Sequence, residues 1–195
     1  MKKKPLIVIS ALIFTLAILA LGYVSFGLLT TVIFTSGFLG GFILWILLPT
    51  ASTFAPIKMP YWLTLIAFII HRVEEKVCGF FDALSQLTDV PTPEILSWQI
   101  ILLVLTSVGA WLLVPILMKR GYQFGQYLAW TFFAAMGITE LAHFIFPFFT
   151  GEHYQYFPGM ASVVILAPSA WWGMWKLSNH KRLSIKGSFR TLTVI

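Results

Sequence analysis

Two short stretches of this sequence hold the residues that can do chemistry. The first reads His71-Arg72-Val73-Glu74-Glu75-Lys76, and the second reads Glu140-Leu141-Ala142-His143. Both sit within long apolar runs. Imidazole and carboxylate groups transfer protons and bind metals. In apolar surroundings they are expensive unless protonated, paired, hydrated or bound to a metal. On an α-helix at about 100° per residue, Glu74 stands about 60° from His71 on one side and Glu75 about 40° on the other. All three therefore share a face. Glu140 and His143 are i, i+3 neighbours and share a face too. Two histidines and three glutamates on two compact faces make a candidate site.

The donor set favours a metal. Two histidines and a glutamate with an open position form a known catalytic zinc arrangement. Two histidines and one carboxylate also suit non-haem iron. Di-iron bundles place Glu-x-x-His on two helices with further glutamates. Here Glu140-x-x-His143 fits that element, but His71-x-x-Glu74 runs the other way and the set is one carboxylate short. A single zinc therefore ranks above a di-iron centre, with iron as the alternative metal. The expected ligands are His71, His143 and Glu140 or Glu75. Glu74 is expected as the general base for a water activated at the metal, with Glu75 as the other candidate catalytic carboxylate. A metal-free acid/base pair is a competing reading. So is simple charge balance, with Arg72 paired to Glu75 at i+3 and Lys76 reaching outward.

The loop Glu152-His153-Tyr154-Gln155-Tyr156 adds His153 and Tyr156 as candidate residues at the mouth of the site. A solvated loop histidine is the alternative for His153. Pro158-Gly159 reads as a turn entering a helix. The chain has no Gly-rich phosphate loop, no Gly-x-Ser-x-Gly and no His-Glu-x-x-His. Their absence argues against the enzyme types that use them.

The elements that carry these residues follow from composition. Of 195 residues, 58% are hydrophobic and 10% charged, and the mean hydropathy is +0.87. Soluble domains run at roughly 45–50% apolar and about 25% charged. The fold class is therefore all-α, a polytopic membrane helix bundle. A spanning helix takes about 20 residues. Six runs of that kind are visible: 5–23, 26–48, 60–84, 94–117, 122–149 and 157–177. They predict a transmembrane domain over residues 1–178 and a basic cytoplasmic tail over 179–195. The first run follows three lysines and resembles a signal peptide, but it is longer than an h-region of 7–15 residues, so a retained first helix is expected.

Charge gives the orientation. Lys and Arg total 13 against 7 Asp and Glu, a net charge of +6. Lys2–Lys4, Lys58, Lys119, Arg120 and the tail fall on one side of six spans, and Asp82, Asp89, Glu94 and Glu152 on the other. Positive charge stays inside. Both termini are thus expected in the cytoplasm and the chain in the cell (inner) membrane. The basic tail suits anionic lipid headgroups. This placement makes membrane lipids the expected partners and argues against nucleic acid. Counting up from Pro60, His71 lies roughly 16 Å and Glu75 about 22 Å deep, in the outer half. Gly37-x-x-x-Gly41 predicts close helix packing, within the bundle or between copies. Cys78 is the single cysteine, so no internal disulfide forms.

His71-x-x-Glu74-Glu75 in an early membrane helix resembles the signature of the HXXEE family of small integral membrane proteins. The later His143 and Tyr156-x-Pro158-Gly159 are similar to that family's histidine and Tyr-x-Pro-Gly segment. The family pattern has asparagine near the second histidine and threonine three residues after Pro-Gly, where this chain has Glu140 and Ser162. The resemblance runs from Ala67 to Pro168. It implies that His71, Glu74, Glu75 and His143 matter, and it supplies no reaction. The residues themselves lead to a membrane-embedded, metal-dependent enzyme acting on a lipid-like substrate by hydrolysis or a related acid/base step. A proton-coupled carrier and a non-catalytic scaffold with a structural polar cluster are the alternatives.

Overall fold

The computed structural model describes residues 3–88, 91–92, 97–151 and 153–179. The described residues are helical, with no strand. Asp89, Glu94, Glu152 and the tail beyond Asn179 lie outside them.

Helix α1 (Pro5–Leu47) carries two of the expected runs in one element. Gly27 breaks it, with φ 73° and ψ −178°. A glycine adopts that conformation without a side-chain clash. The two arms fold back on each other. Lys3 Nζ donates to the carbonyls of Ile46 at 3.1 Å and Leu48 at 3.5 Å. Gly37 and Gly41 on the second arm face Ala135 and Thr131, where any side chain would collide with the opposing backbone. The Gly-x-x-x-Gly spacing thus serves packing within the chain.

A 3₁₀ turn, Ala55–Ile57, leads into α2 (Lys58–Val77). Gly79, at φ 71°, then turns the chain into α3 (Phe80–Thr88). The expected single run 60–84 is therefore two helices. Next come α4 (Trp98–Leu112) and α5 (Val114–Lys119). Pro115 has no N–H to give the Trp111 carbonyl four residues back. That carbonyl instead accepts the Tyr61 hydroxyl at 2.9 Å.

Helix α6 (Gln123–Gly137) is the centre of the bundle, buried at every position from Gly125 to Gly137. A helix apolar on all sides is stable only when surrounded. Here α1, α5 and α7 (Met160–Ser178) surround it. The expected helix 122–149 does not continue past Gly137. The chain tightens into 3₁₀ turns at Thr139–Phe144 and Phe146–Phe149, the second with Pro147 in its first turn. Trp171 Nε1 takes the Gly137 carbonyl at 2.5 Å, one of the acceptors that the end of α6 leaves open.

Contacts between chain ends give the bundle two distinct poles. Lys4 N–H donates to Gln123 Oε1 at 2.9 Å, and Ala51 N–H donates to the Leu177 carbonyl at 2.8 Å. With the Lys3 contacts, they gather residues 3–4, 46–51, 123 and 177 at one pole. Fifteen residues of α6 carry the chain roughly 22 Å away from it.

Among the described residues, three helical stretches are long and apolar enough to cross a membrane: Pro5–Leu28, Trp98–Lys119 and Gln123–Phe149. The run Thr31–Leu47 is apolar but shorter. In α2 the amphipathic pattern is inverted. Thr64, His71 and Glu75 are buried, while Ile66, Ile69, Ile70, Val73 and Val77 are exposed.

Candidate metal centre

His71 and Glu75 are one turn apart on α2 and point into the bundle. Glu140 and His143 come from the 3₁₀ turn Thr139–Phe144. In a 3₁₀ helix, residues i and i+3 lie directly over one another. The switch away from α-helix after Gly137 therefore aligns Glu140 and His143 more closely than the expected α-helix would. His71 is 0% exposed, Glu75 3%, Glu140 6% and His143 1%.

Four atoms converge. His71 Nε2 lies 3.4 Å from Glu75 Oε1 and 3.2 Å from Glu140 Oε2. His143 Nε2 lies 3.3 Å and 3.4 Å from the same two oxygens. All four ligand atoms lie within 4.8 Å of one another. Tetrahedral N/O ligands at roughly 2.0–2.1 Å from a zinc ion stand about 3.3–3.4 Å apart. The four His–Glu distances match that edge, while the His–His and Glu–Glu separations extend up to 4.8 Å, a flatter array than a regular tetrahedron. Glu75 Oε1 is buried and makes no well-aligned hydrogen bond, its nearest polar neighbours being the two Nε2 atoms at 3.3 and 3.4 Å. A carboxylate oxygen left so is costly unless a cation faces it. The donor set and its geometry thus fit a divalent metal.

The opposite side of each ligand is held. Arg72 Nη1 binds Glu75 Oε2 at 2.8 Å, and Nη2 binds Glu140 Oε1 at 2.6 Å. The guanidinium thereby takes the outer oxygen of both carboxylates and leaves the inner oxygens to face the histidines. His71 Nδ1 donates to Ser162 Oγ at 2.8 Å, and that hydroxyl donates to the Gly159 carbonyl at 3.2 Å. His143 Nδ1 donates to the Pro158 carbonyl at 2.6 Å. Metal-ligating histidines make the same Nδ1 bond, which would leave Nε2 to ligate an ion in place of its present contacts with the glutamates.

Gly159 makes the close approach possible. At φ 98° it precedes α7, and a Cβ there would lie 2.5 Å from His143 Cε1 and Nδ1 and 2.9 Å from His71 Cε1. The two imidazoles cross at 89° with centroids 4.8 Å apart. Phe80, Phe146 and Phe157 cover His143 from the other side, with ring centroids 4.8, 5.8 and 6.4 Å from it.

Glu74 does not join the four. Its carboxylate accepts the backbone N–H of Ala161 at 3.0 Å and of Ser162 at 2.8 Å, and the Tyr156 hydroxyl at 2.5 Å. A carboxylate on the first-turn amides of a helix satisfies orphan donors and complements the helix dipole. Glu74 thus caps α7 from outside, and the base expected at the metal is turned away from it. The same contacts fix Tyr156. Burial and then its bond to Glu74 push the Tyr156 phenol above its ordinary value. His153 is exposed and outside the cluster.

Four further groups shape the centre beyond the sequence-based expectation: Arg72, Gly159, Ser162 and the Pro158 carbonyl. Arg72 balances two glutamates rather than Glu75 alone, and Pro158-Gly159 supports both imidazoles as well as forming a turn. The local signals for them are the Pro-Gly turn and a serine three residues into the following helix.

The family described as "Protein of unknown function with HXXEE motif" matches residues 62–173. No curated protein and no solved structure matches the chain.

Proposed function

The chain belongs to the HXXEE family, and we propose that it is a membrane-embedded metalloprotein whose ion is held by His71, Glu75, Glu140 and His143. The ion is zinc, with iron as the alternative. The reaction is hydrolysis, or a related acid/base step, on a lipid-like substrate. The carrying observation is the 3.2–3.4 Å spacing of four buried ligand atoms around one point.

A bound divalent ion supplies Lewis-acid polarisation of a substrate oxygen. The chain's residues do the rest. Ser162 and the Pro158 carbonyl hold the imidazoles in the ligating tautomer. Arg72 balances charge: two carboxylates and one guanidinium sum to −1, which a divalent ion raises to +1. Glu140 borders an apolar cavity, so substrate approaches the ion from the Glu140 side. Glu74 is a positioning residue. By binding the Ala161 and Ser162 amides it fixes Ser162 against His71.

A membrane setting is supported by the three long apolar stretches and by the exposed apolar face of α2. Six passes put Lys3, Lys4, Lys58, Lys119 and Lys176 at the cytoplasmic pole of the cell membrane, with both termini there. Lys58 and Lys119 border one surface cavity with Trp62, consistent with that arrangement.

A structural role for the metal is the second reading. All four ligands come from the protein, as in closed structural sites. The deciding experiment incubates metal-loaded protein in lipid nanodiscs with a panel of long-chain esters and amides. The expected product disappears with chelator or His143→Ala and returns, for the wild type, on metal re-addition. Metal-replete protein that turns over no member of the panel would replace the enzyme with the structural staple.

A further inference from the structure

A cavity of about 360 Å³ lies between α1, α2, α4 and α6, beside the metal centre. That volume is in the range of small-molecule sites. Its wall is apolar, formed by residues such as Phe26, Phe38, Leu103 and Trp111, and its polar lining includes Arg72, Thr139 and Glu140. Two buried polar atoms of these residues lack a hydrogen-bond partner, Arg72 Nε and Thr139 Oγ1. Arg72 gives one bond from each terminal nitrogen to the glutamates, and its Nε–H is a further, buried donor. A buried donor without an acceptor is costly.

We propose that this cavity binds a single-chain amphiphile with a carboxylate head, the chain lying along the Phe38–Leu103–Trp111 wall and the head against Arg72 and Thr139. The proposal deepens the metal reading and rests on it for the sign of the charge. With a divalent ion the cluster carries +1, which attracts an anionic head and repels an amine. A long-chain carboxylate is also the acid released by hydrolysis of a long-chain ester, so the cavity would hold the product as it forms.

The test uses tryptophan quenching by bromine-labelled lauric acid with metal-loaded protein in phosphatidylcholine nanodiscs. Trp111 lines the cavity and reports occupancy. Saturable quenching is expected, lost in Trp111→Phe and displaced by unlabelled laurate. Ser107→Phe, which plugs the wall, and Thr139→Val, which deletes the head contact, should each raise half-saturation about tenfold or more. Dodecylamine should not compete. Metal is quantified in every sample. Absence of saturable quenching in metal-loaded wild type would overturn the proposal while leaving the metal site standing. So would quenching that survives both Trp111→Phe and Ser107→Phe. Equal competition by dodecylamine would overturn the carboxylate head. Laurate binding by protein that takes up no metal would overturn the charge argument and the metal reading together, leaving only an apolar chain site.

Discussion

Replacing Gly159 by alanine should damage metal binding as well as the fold, because the new side chain meets both imidazoles. The new Cβ would lie 2.5 Å from His143 Cε1 and Nδ1 and 2.9 Å from His71 Cε1. Carbon contacts relax at about 3.5–4.0 Å, so the His143 ring must retreat by about 1 Å. Metal sites tolerate roughly ±0.2 Å in ligand position. The shift also strains the Nδ1 bond to Pro158, and loss of such a partner typically costs about 10–100-fold in metal affinity. Folding stability should fall by about 1–3 kcal/mol from overpacking, with further strain from the positive φ. Gly121→Ala is the matched control. Gly121 has φ 76°, and a Cβ there would meet nothing within 4 Å, so that variant reports backbone strain without a clash. Metal affinity is read by competition with a chromophoric chelator, and stability by melting in detergent. Gly159→Ala should lose at least tenfold in affinity by this reasoning, whereas Gly121→Ala keeps wild-type affinity. A Gly159→Ala protein that binds metal like wild type would refute the packing argument and the role it gives Pro158-Gly159.

Three further outcomes follow from the same contacts. Glu74→Gln should lower stability by about 0.5–2 kcal/mol, as loss of a helix cap does, and keep its full metal content; loss of metal from a well-folded variant would return Glu74 to the centre. Ser162→Ala should weaken metal binding about tenfold by freeing the His71 ring, and Ser162→Thr should restore it. If alanine and threonine behave alike, the hydroxyl does not orient His71. Arg72→Gln should lower the melting temperature more in chelator than in added zinc, because the ion takes over the balance of the two buried carboxylates. Equal losses in both conditions would mean that no cation shares the site with Arg72.

Spacing makes the heart of the site legible. His71 and Glu75 one turn apart, and Glu140 three before His143, are local patterns, and ionisable groups in apolar runs are conspicuous. Helical character is legible from composition for the same reason. Other features depend on partners far along the chain. Glu74 sits about as close to the His71 direction as Glu75 does, on the other side. Its capping role exists because α7 begins beside it, 86 residues later by the interval from Glu74 to Met160. The second partner of Arg72, at position 140, is equally remote. The change from α to 3₁₀ after Gly137 is hidden because no proline or further glycine interrupts the chain before Pro147. Gly159 carries a turn signal but gives no sign that two imidazoles close on its Cα.

The central claim is tested most directly by elemental analysis of detergent-purified protein, wild type beside His71→Ala and His143→Ala. The account predicts about one zinc or iron ion per chain in the wild type, as a single four-ligand site requires, and loss of the ion in both folded variants. Well-folded wild type that carries no metal, even after reloading, would contradict it and leave the His/Glu/Arg cluster as a network of ion pairs.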